Sequence, residues 1–224
     1  MRPELVPVVR VLGLRRQEAG GAVVHTGRVG EVEVVATMTG IGTAAAARAT
    51  ERLLGSMAID HVVVAGIAGG LGPNLAIGAL VVPEVVIDGA TGKEYSPAPF
   101  GPKTASGKLH TSDELIVDED RLARLAQQGV IALDMETSAV AATCEQQGCP
   151  WSVFRGISDR TSDGMLDQAV AGLARSDGTP NLPAAVRFVL SKPWRVRDLA
   201  RLAQGTRLAA RAAAMATTEA IRTG

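Results

Sequence analysis

Short apolar runs alternate along the chain with segments that have a helical pattern. Glu31 to Thr39 alternates like a strand and stops at a glycine turn, and Thr43 to Leu54 then has the composition of an alanine-rich helix. The same criteria predict strands at His61–Ala65, Gly78–Ile87, Val130–Asp134 and Trp151–Ile157, and helices at Asp118–Gln128, Thr137–Gln147 and from about Arg195 onwards. Strands that alternate with helices predict an α/β fold whose sheet is covered on both faces.

The composition narrows the class of protein without identifying a function. The chain has 224 residues, 46% of them hydrophobic, and no linker divides it, so residues 1–224 are predicted to form a single domain. The 23 basic and 23 acidic residues balance, which argues against nucleic acid as a partner. No run approaches the roughly 18 apolar residues of a membrane span. No signal peptide is recognisable either, so a cytoplasmic location is expected.

Two glycine-rich segments follow predicted strands. Residues 40–45, Gly-Ile-Gly-Thr-Ala-Ala, fit the G-x-G-x-x-A pattern of a dinucleotide site, but the acid at the required distance, Asp60, precedes its strand instead of ending it. The preferred interpretation is a tight turn whose backbone N–H groups can hold an anion or a sugar hydroxyl. The second segment, Gly66 to Gly72, permits close approach of the backbone to a ligand. Cys144 and Cys149 show no CxxC spacing, and we expect no metal and no cofactor.

Two acidic motifs lie at the ends of predicted strands. Asp134-Met135-Glu136 joins a strand to a helix, and Ser158-Asp159 ends the strand that begins at Trp151. Acids at such ends point into the crevice in which open α/β sheets bind ligands, although helix capping or turn formation explains either motif locally. An Asp and a Glu that converge on one crevice are what cleavage of a glycosidic bond needs.

Together these motifs resemble the nucleoside phosphorylase and nucleosidase superfamily, in particular the 5′-methylthioadenosine/S-adenosylhomocysteine nucleosidases. The matching pieces follow the family's order over roughly residues 1 to 160: Thr39–Gly42, Ala65–Leu71, Ile77-Gly78, Asp134–Glu136 and Arg155–Asp159. The resemblance implies a three-layer αβα sandwich around a central mixed, largely parallel sheet. Residues 175–194 look more like the hopanoid-associated branch, which removes adenine from an adenosylated lipid precursor.

The resemblance also implies a role for each acid. Asp159 corresponds to the acid that bonds the purine at N7 and promotes its departure, and Ser158 orients that acid. Glu136 corresponds to the carboxylate that holds the ribose hydroxyls, with Met135 packed beneath the sugar. Glu4 corresponds to the acid that positions the attacking water. An Asp can protonate adenine only if burial or a neighbouring carboxylate raises its pKa.

Further substrate contacts implied by the resemblance come from two other segments. The backbone at Leu115 and Ile116 corresponds to the strand that binds the base. Ile67 and Gly69 belong to the glycine segment beside the nucleoside, and Ile67 stands where the nucleosidases often have a hydroxyl residue. The expected partner is therefore a small-molecule nucleoside. Relatives are often dimers whose partner closes the pocket, so a homo-oligomer, a dimer, is expected by analogy.

Water is the expected nucleophile. Phosphorylases surround phosphate with cations and typically have an Arg before the glycine segment, where this chain has Val-Val-Ala at residues 63–65. Arg2 is the one cation expected near the N-terminal loop that carries Glu4. Relatives have a strand ahead of this loop, so we expect either that the start of the chain was assigned too late or that the sheet lacks an edge or central strand. Phosphorolysis, the hopanoid-associated reaction and nucleoside binding without turnover stay open as alternatives.

Overall fold

A computed structural model describes the protein over residues 2–19, 22–72, 75–163 and 196–223. The helices are α1 Arg2–Leu12, α2 Thr43–Ser56, α3 Glu119–Gln127, α4 Thr137–Gln146 and α5 Val196–Thr223, and a 3₁₀ turn covers Thr161–Asp163. The strands are β1 Arg15–Ala19, β2 Ala22–Val29, β3 Val32–Ala36, β4 Val62–Gly70, β5 Leu80–Val81, β6 Val85–Asp88, β7 Glu94–Tyr95, β8 Lys108–Thr111, β9 Val130–Asp134 and β10 Trp151–Arg160.

The described strands form two sheets. The smaller sheet is antiparallel with the order β1-β2-β3, and the larger has the order β5-β10-β4-β9-β8-β6-β7. In the larger sheet, β10 and β4, β8 and β9, and β6 and β8 run parallel, whereas β4 and β9 run antiparallel. The predicted α/β fold with a mixed sheet is therefore confirmed. β3 and β4 are not hydrogen-bonded to each other in the described part.

Helices cover both faces of the larger sheet. Val62 and Val64 of β4 belong to the same core cluster as Cys144 of α4. Val63, between them, packs instead in the cluster that contains Ala216 of α5. Because neighbouring residues of a strand point to opposite faces, α4 and α5 lie on opposite sides of the sheet. The predicted three-layer arrangement is thus confirmed.

Helix α5 lies directly against β10. A Cβ at Gly156 would collide with the backbone of Ala209, and a Cβ at Gly205 would collide with the backbone oxygen of Ser158. Glycine at both positions lets the two backbones approach closely. This contact holds the strand that carries Arg155 and Asp159.

The predicted strand boundaries differ most from the structure at two places. β4 continues to Gly70 instead of ending at Ala65, because its glycines pair with β10 and the last two also pair with β9. The predicted strand Gly78–Ile87 is divided around Pro83 into β5 and β6. Proline has no N–H to donate to a ladder.

Other predictions differ more widely from the structure. Glu4 lies in the first turn of helix α1 and not in a loop. Strands β1, β2, β7 and β8 were not predicted. Residues 175–194, which carry the resemblance to the hopanoid-associated branch, lie outside the described residues. Among the residues that the structure describes, no helix has the length and apolar character needed to cross a bilayer.

Candidate active site

One cavity of about 1920 Å³ lies where β4, β9 and β10 end and where α1, α2 and α4 begin. It is lined by all nine residues that the sequence suggested for the site, namely Glu4, Ile67, Gly69, Leu115, Ile116, Met135, Glu136, Ser158 and Asp159. The carboxyl ends of strands and the N-termini of helices thus meet at one place, as in other α/β proteins.

The buried guanidinium of Arg155 lies among three carboxylates. Its Nη2 is bonded to Asp134 and lies 3.5 Å from Oε2 of Glu136, and its Nη1 lies 3.9 Å from Oε1 of Glu4. Nη1 also donates to the carbonyl of Ile67 at 3.2 Å. The side chain of Arg155 is only 4% exposed, so its charge is compensated by protein groups and not by bulk water. These acids raise the pKa of Arg155, although burial alone lowers it.

Asp134 anchors this guanidinium from within the core. One carboxylate oxygen accepts from Oγ1 of Thr111 at 2.6 Å, and the other accepts from the backbone N–H of Thr137 at 3.0 Å and from its hydroxyl at 2.5 Å. Oγ1 of Thr111 in turn accepts from the N–H of Ser138. Asp134 is therefore the N-terminal anchor of α4 as well as the partner of Arg155.

The carboxylate of Glu4 is hydrogen-bonded to the backbone of β4. Its Oε1 accepts from the N–H of Ile67 at 3.0 Å. A Cβ at Gly66 would lie 2.6 Å from that oxygen and would collide with Nη1 of Arg155. Glycine at residue 66 is thus what permits the acid and the guanidinium to meet above the strand. At residue 67 the N–H, and not a side-chain hydroxyl, contacts Glu4.

Glu136 lies at the start of α2 as well as at the start of α4. Its Oε1 accepts from the N–H of Gly42 at 3.2 Å, and Gly42 is the N-cap of α2 with a φ of 91°. The helix start that was expected to hold an anion therefore holds the carboxylate of Glu136. Burial raises the pKa of Glu136 to about 7, opposed by Arg155 and reinforced by Asp134 and Glu4.

Asp159 and Ser158 form a bulge near the end of β10. The pairing of β10 with β4 passes from Ile157 opposite Ala68 to Asp159 opposite Gly69, so Ser158 is left out of the register. Ser158 Oγ lies 2.5 Å from Oδ1 of Asp159 and 3.3 Å from the carbonyl oxygen of Ala68. Asp159 is 5% exposed, and burial raises its pKa, although the bond from Ser158 opposes the rise.

The residues expected to contact the substrate surround these acids. A Cβ built on Gly69 would lie 3.7 Å from Oδ2 of Asp159, so this oxygen faces the glycine at the end of β4. Met135, which stands between Asp134 and Glu136 in the sequence, also lines the cavity. Leu115 and Ile116 also line it, but they belong to an irregular segment between β8 and α3 and not to a strand.

The sequence motifs contained Arg155 without suggesting a role for it. Arg2 was predicted to be the nearby cation, and its side chain lies outside the described part. A signal for Arg155 was available, because a charged residue within the apolar run Trp151–Ile157 requires buried partners. Asp113 was also missed. It accepts from the N–H of Thr43 at 2.7 Å and from its hydroxyl at 2.5 Å, at the start of α2.

Comparison with known proteins identifies relatives along most of the chain. The family model of the phosphorylase superfamily matches residues 4–103 and 96–179. The 5′-methylthioadenosine/S-adenosylhomocysteine nucleosidase of Chromohalobacter salexigens is 33% identical over 64% of this chain and 74% of its own length. The enzyme of the same name from Geobacillus thermodenitrificans is 30% identical over 70% of this chain and 80% of its own length.

Solved structures share the fold at low sequence identity. A nucleosidase of the same name from Neisseria meningitidis, in complex with methylthio-immucillin-A, has a TM-score of 0.73 and 18% identity, and the match covers 99% of this chain and 95% of that one. The futalosine hydrolase of Helicobacter pylori has a TM-score of 0.71 and 17% identity, with 99% and 94% covered. The predicted enzyme class, a nucleosidase, agrees with the names of the curated relatives. From the matched family model and these relatives, the chain belongs to the phosphorylase superfamily.

Proposed function

We propose that this protein hydrolyses the N-glycosidic bond of a purine nucleoside, with adenine as the base and methylthioadenosine or adenosylhomocysteine as the substrate. The observation that carries the proposal is the separation of the acids into two groups within one cavity. Asp159 is hydrogen-bonded to Ser158, whereas Glu4 and Glu136 share the guanidinium of Arg155. The relatives named above support the choice of substrate.

Asp159 is suited to act as the general acid. Because burial raises its pKa, it holds a proton at a higher pH than an ordinary Asp does. Oδ1 is occupied by Ser158, and Oδ2 faces Gly69. In the proposed reaction the C1′–N9 bond breaks, its electron pair passes to the base, and the Asp159 proton moves to the purine at N7. General acid catalysis of this kind contributes about 10²–10⁴-fold.

Glu136 and Glu4 supply the negative charge that an oxocarbenium-like ribose needs. In the proposal, Glu136 accepts hydrogen bonds from the ribose hydroxyls while it keeps its contacts with Gly42 and Arg155. Glu4 takes a proton from the attacking water, whose oxygen forms the new bond to C1′. The products are the free base and ribose with its 5′ substituent, so that atoms and charge balance.

Water is favoured over phosphate by the charges around Arg155. A phosphate needs cations whose donors face it, but both terminal nitrogens of this guanidinium already contact carboxylates, namely those of Asp134, Glu136 and Glu4. A dianion placed beside Glu4 would meet these carboxylates at short range. Among the described residues that line the cavity, Arg160 is the other cation, and it pairs with Asp163. We therefore favour hydrolysis over phosphorolysis.

The test is to measure base release from methylthioadenosine, adenosylhomocysteine and inosine, with and without phosphate. We expect release of adenine at a rate that phosphate does not change. Asp159→Asn should lower kcat by about 10²–10⁴-fold. Asp120→Asn is the matched control, because Asp120 is exposed in the first turn of α3 and does not line the cavity, and it should retain most activity.

Each alternative predicts a different outcome of this assay. Release that requires phosphate would indicate a phosphorylase. Binding of adenine nucleosides without release would indicate a binding protein. Turnover of an adenosylated lipid precursor in preference to methylthioadenosine would favour the hopanoid-associated reaction. Equal rates for Asp159→Asn and the parent would remove Asp159 from the mechanism.

Two expectations from the sequence accompany the proposal. We propose that the protein acts in the cytoplasm and that it forms a homodimer, by analogy with relatives whose partner closes the pocket. Fractionation of the source cells tests the location. Light scattering across a range of concentrations tests the dimer, and a mass of one chain at all of them would contradict it.

A further inference from the structure

Residues 112–117 form a cavity-lining segment between β8 and α3 that belongs to no strand or helix. Its Ile116 is buried in a cluster with Leu71, which directly follows β4. The end of β4 pairs with the part of β10 that carries Asp159. The 112–117 segment therefore lies at the end of the cavity where the general acid is proposed to meet the base.

Individual hydrogen bonds fix the backbone of this segment, because none of the described strands pairs with it. At its start, the N–H of Ser112 donates to the carbonyl oxygen of Asp134 at 2.9 Å. The N–H of Glu114 donates to the hydroxyl of Ser112 at 3.1 Å. Between these two residues, the side chain of Asp113 extends to a different element, α2.

Asp113 joins the 112–117 segment to the first residue of α2. Its Oδ1 accepts from the N–H of Thr43 at 2.7 Å, and its Oδ2 accepts from the Thr43 hydroxyl at 2.5 Å. The N-cap of α2 is Gly42, which has no side chain with which to cap the helix. A Cβ built on Gly42 would lie 3.1 Å from Oδ1 of Asp113, so the carboxylate lies closely against this turn. Asp113 thus caps α2 from a position 70 residues away in the chain.

The same helix start holds the carboxylate that is proposed to bind the ribose. The N–H of Gly42 donates to Glu136, and the N–H of Thr43, the next along the chain, donates to Asp113. A helix start favours negative charge, but it does not require that the charge come from the wall of a cavity, and both carboxylates line the cavity. The start of α2 therefore connects the residues around the base with the acid beside the sugar.

We propose that Asp113 is a positioning residue, which fixes the 112–117 segment to α2 so that Leu115 and Ile116 meet the base at a set distance from Glu136. The inference rests on the proposed function, because it assumes that this cavity binds a purine. Asp113 acts through Leu115 and Ile116 and not by contact with the substrate. Its loss weakens recognition of the base, while Glu136 keeps its bond to Gly42.

Binding of free adenine tests this proposal, because adenine occupies only the base site and needs no turnover. In calorimetric titrations, Asp113→Ala should raise the dissociation constant about tenfold, as expected when hydrogen bonds to a charged group are lost. Asp113→Asn keeps an acceptor for the N–H of Thr43 and should restore most of the affinity. The matched control is Asp118→Ala, because Asp118 caps α3 by accepting from the N–H of Arg121 at 2.7 Å and does not line the cavity. This control should bind adenine as the parent does.

Two further measurements separate positioning from helix capping alone. With methylthioadenosine, Asp113→Ala should raise KM about tenfold, whereas kcat should change by less than about threefold. Thr43→Val removes the hydroxyl that donates to Asp113. It should weaken adenine binding in the parent but add nothing to Asp113→Ala, because the two residues form a single contact.

Hydrogen exchange of the Ser112 amide reports on the segment without any ligand. This proton should exchange about tenfold faster in Asp113→Ala than in Asp118→Ala. Equal exchange in the two variants overturns the proposal, as does an adenine affinity of Asp113→Ala equal to that of the parent. Equal loss of affinity in Asp118→Ala also overturns it, since any helix cap would then have the same effect. None of the binding and exchange results requires hydrolysis, so this inference and the proposed reaction can fail separately.

Discussion

Replacing Arg155 by methionine would leave three carboxylates around an apolar side chain of similar length. Asp134 is held by Thr111 and Thr137, and its side chain is 1% exposed, so it cannot turn towards water. Removing one partner of a buried ion pair costs about 3–5 kcal/mol. A domain's total free energy of unfolding is about 5–15 kcal/mol. We expect Arg155→Met to lower that free energy by about 4 kcal/mol at pH 8.

This loss should become smaller as the pH falls. In the parent, burial raises the pKa of Glu136 to about 7, and Arg155 opposes that rise, so its removal raises the pKa further. In the unfolded chain this Glu has its ordinary pKa of 4.5. In the folded variant, Glu136 therefore stays protonated over a pH range in which the same side chain has lost its proton in the unfolded chain. A pKa that folding raises contributes stability at low pH that disappears as the pH rises, so parent and variant should differ less at pH 5.

Urea unfolding followed by circular dichroism at both pH values measures the effect. With a slope of about 2 kcal/mol per molar urea, a loss of 4 kcal/mol moves the midpoint by about 2 M. Arg28→Met is the matched control, because Arg28 pairs with Glu31 on the surface and such pairs contribute about 0–1 kcal/mol. A midpoint for Arg155→Met close to that of Arg28→Met at pH 8 would refute the reasoning.

Three further changes test the geometry of the site. Gly66→Ala places a methyl group against Arg155 and Glu4, so kcat should fall by about tenfold or more. A kcat equal to the parent's would contradict the close approach of these two side chains to residue 66. Activity should fall as the pH drops through about 7, because Glu136 takes up a proton; a flat kcat/KM profile between pH 6 and 8 would contradict this. Ser158→Ala removes a hydrogen bond that lowers the pKa of Asp159, so the pH above which activity is lost should rise. If that pH stays the same or falls, the assignment of Asp159 as the general acid is contradicted.

The acids were predictable because they stand at the ends of recognisable elements. Glu136 follows an apolar strand and precedes a helix, and Asp159 lies near the end of another apolar strand, so topology alone directs both to one edge of the sheet. The ion network was not predictable. Arg155 meets Glu4 across about 150 residues of sequence, and no local pattern encodes such a contact.

The missed strands lack the signal that sequence analysis uses. β1 is Arg-Arg-Gln-Glu-Ala and is mostly exposed, so no apolar face marks it. β8 has only four residues and follows a segment rich in Gly, Pro and Ser. β4 was ended too early at Ala65 because consecutive glycines normally break a strand. Pairing with β10 and β9 overrides that local preference.

The bulge at Ser158 decides on which face of the sheet the side chain of Asp159 lies. Arg155 pairs opposite Gly66 and Asp159 opposite Gly69, so the skipped residue places their side chains on opposite sides of the sheet. If Ser158 paired regularly instead, Asp159 would move opposite Gly70 and turn to the side of Arg155. Substitutions along this strand can therefore be tolerated one by one during divergence, whereas loss of the bulge with Ser158 retained would move the proton donor to the other face in a single step.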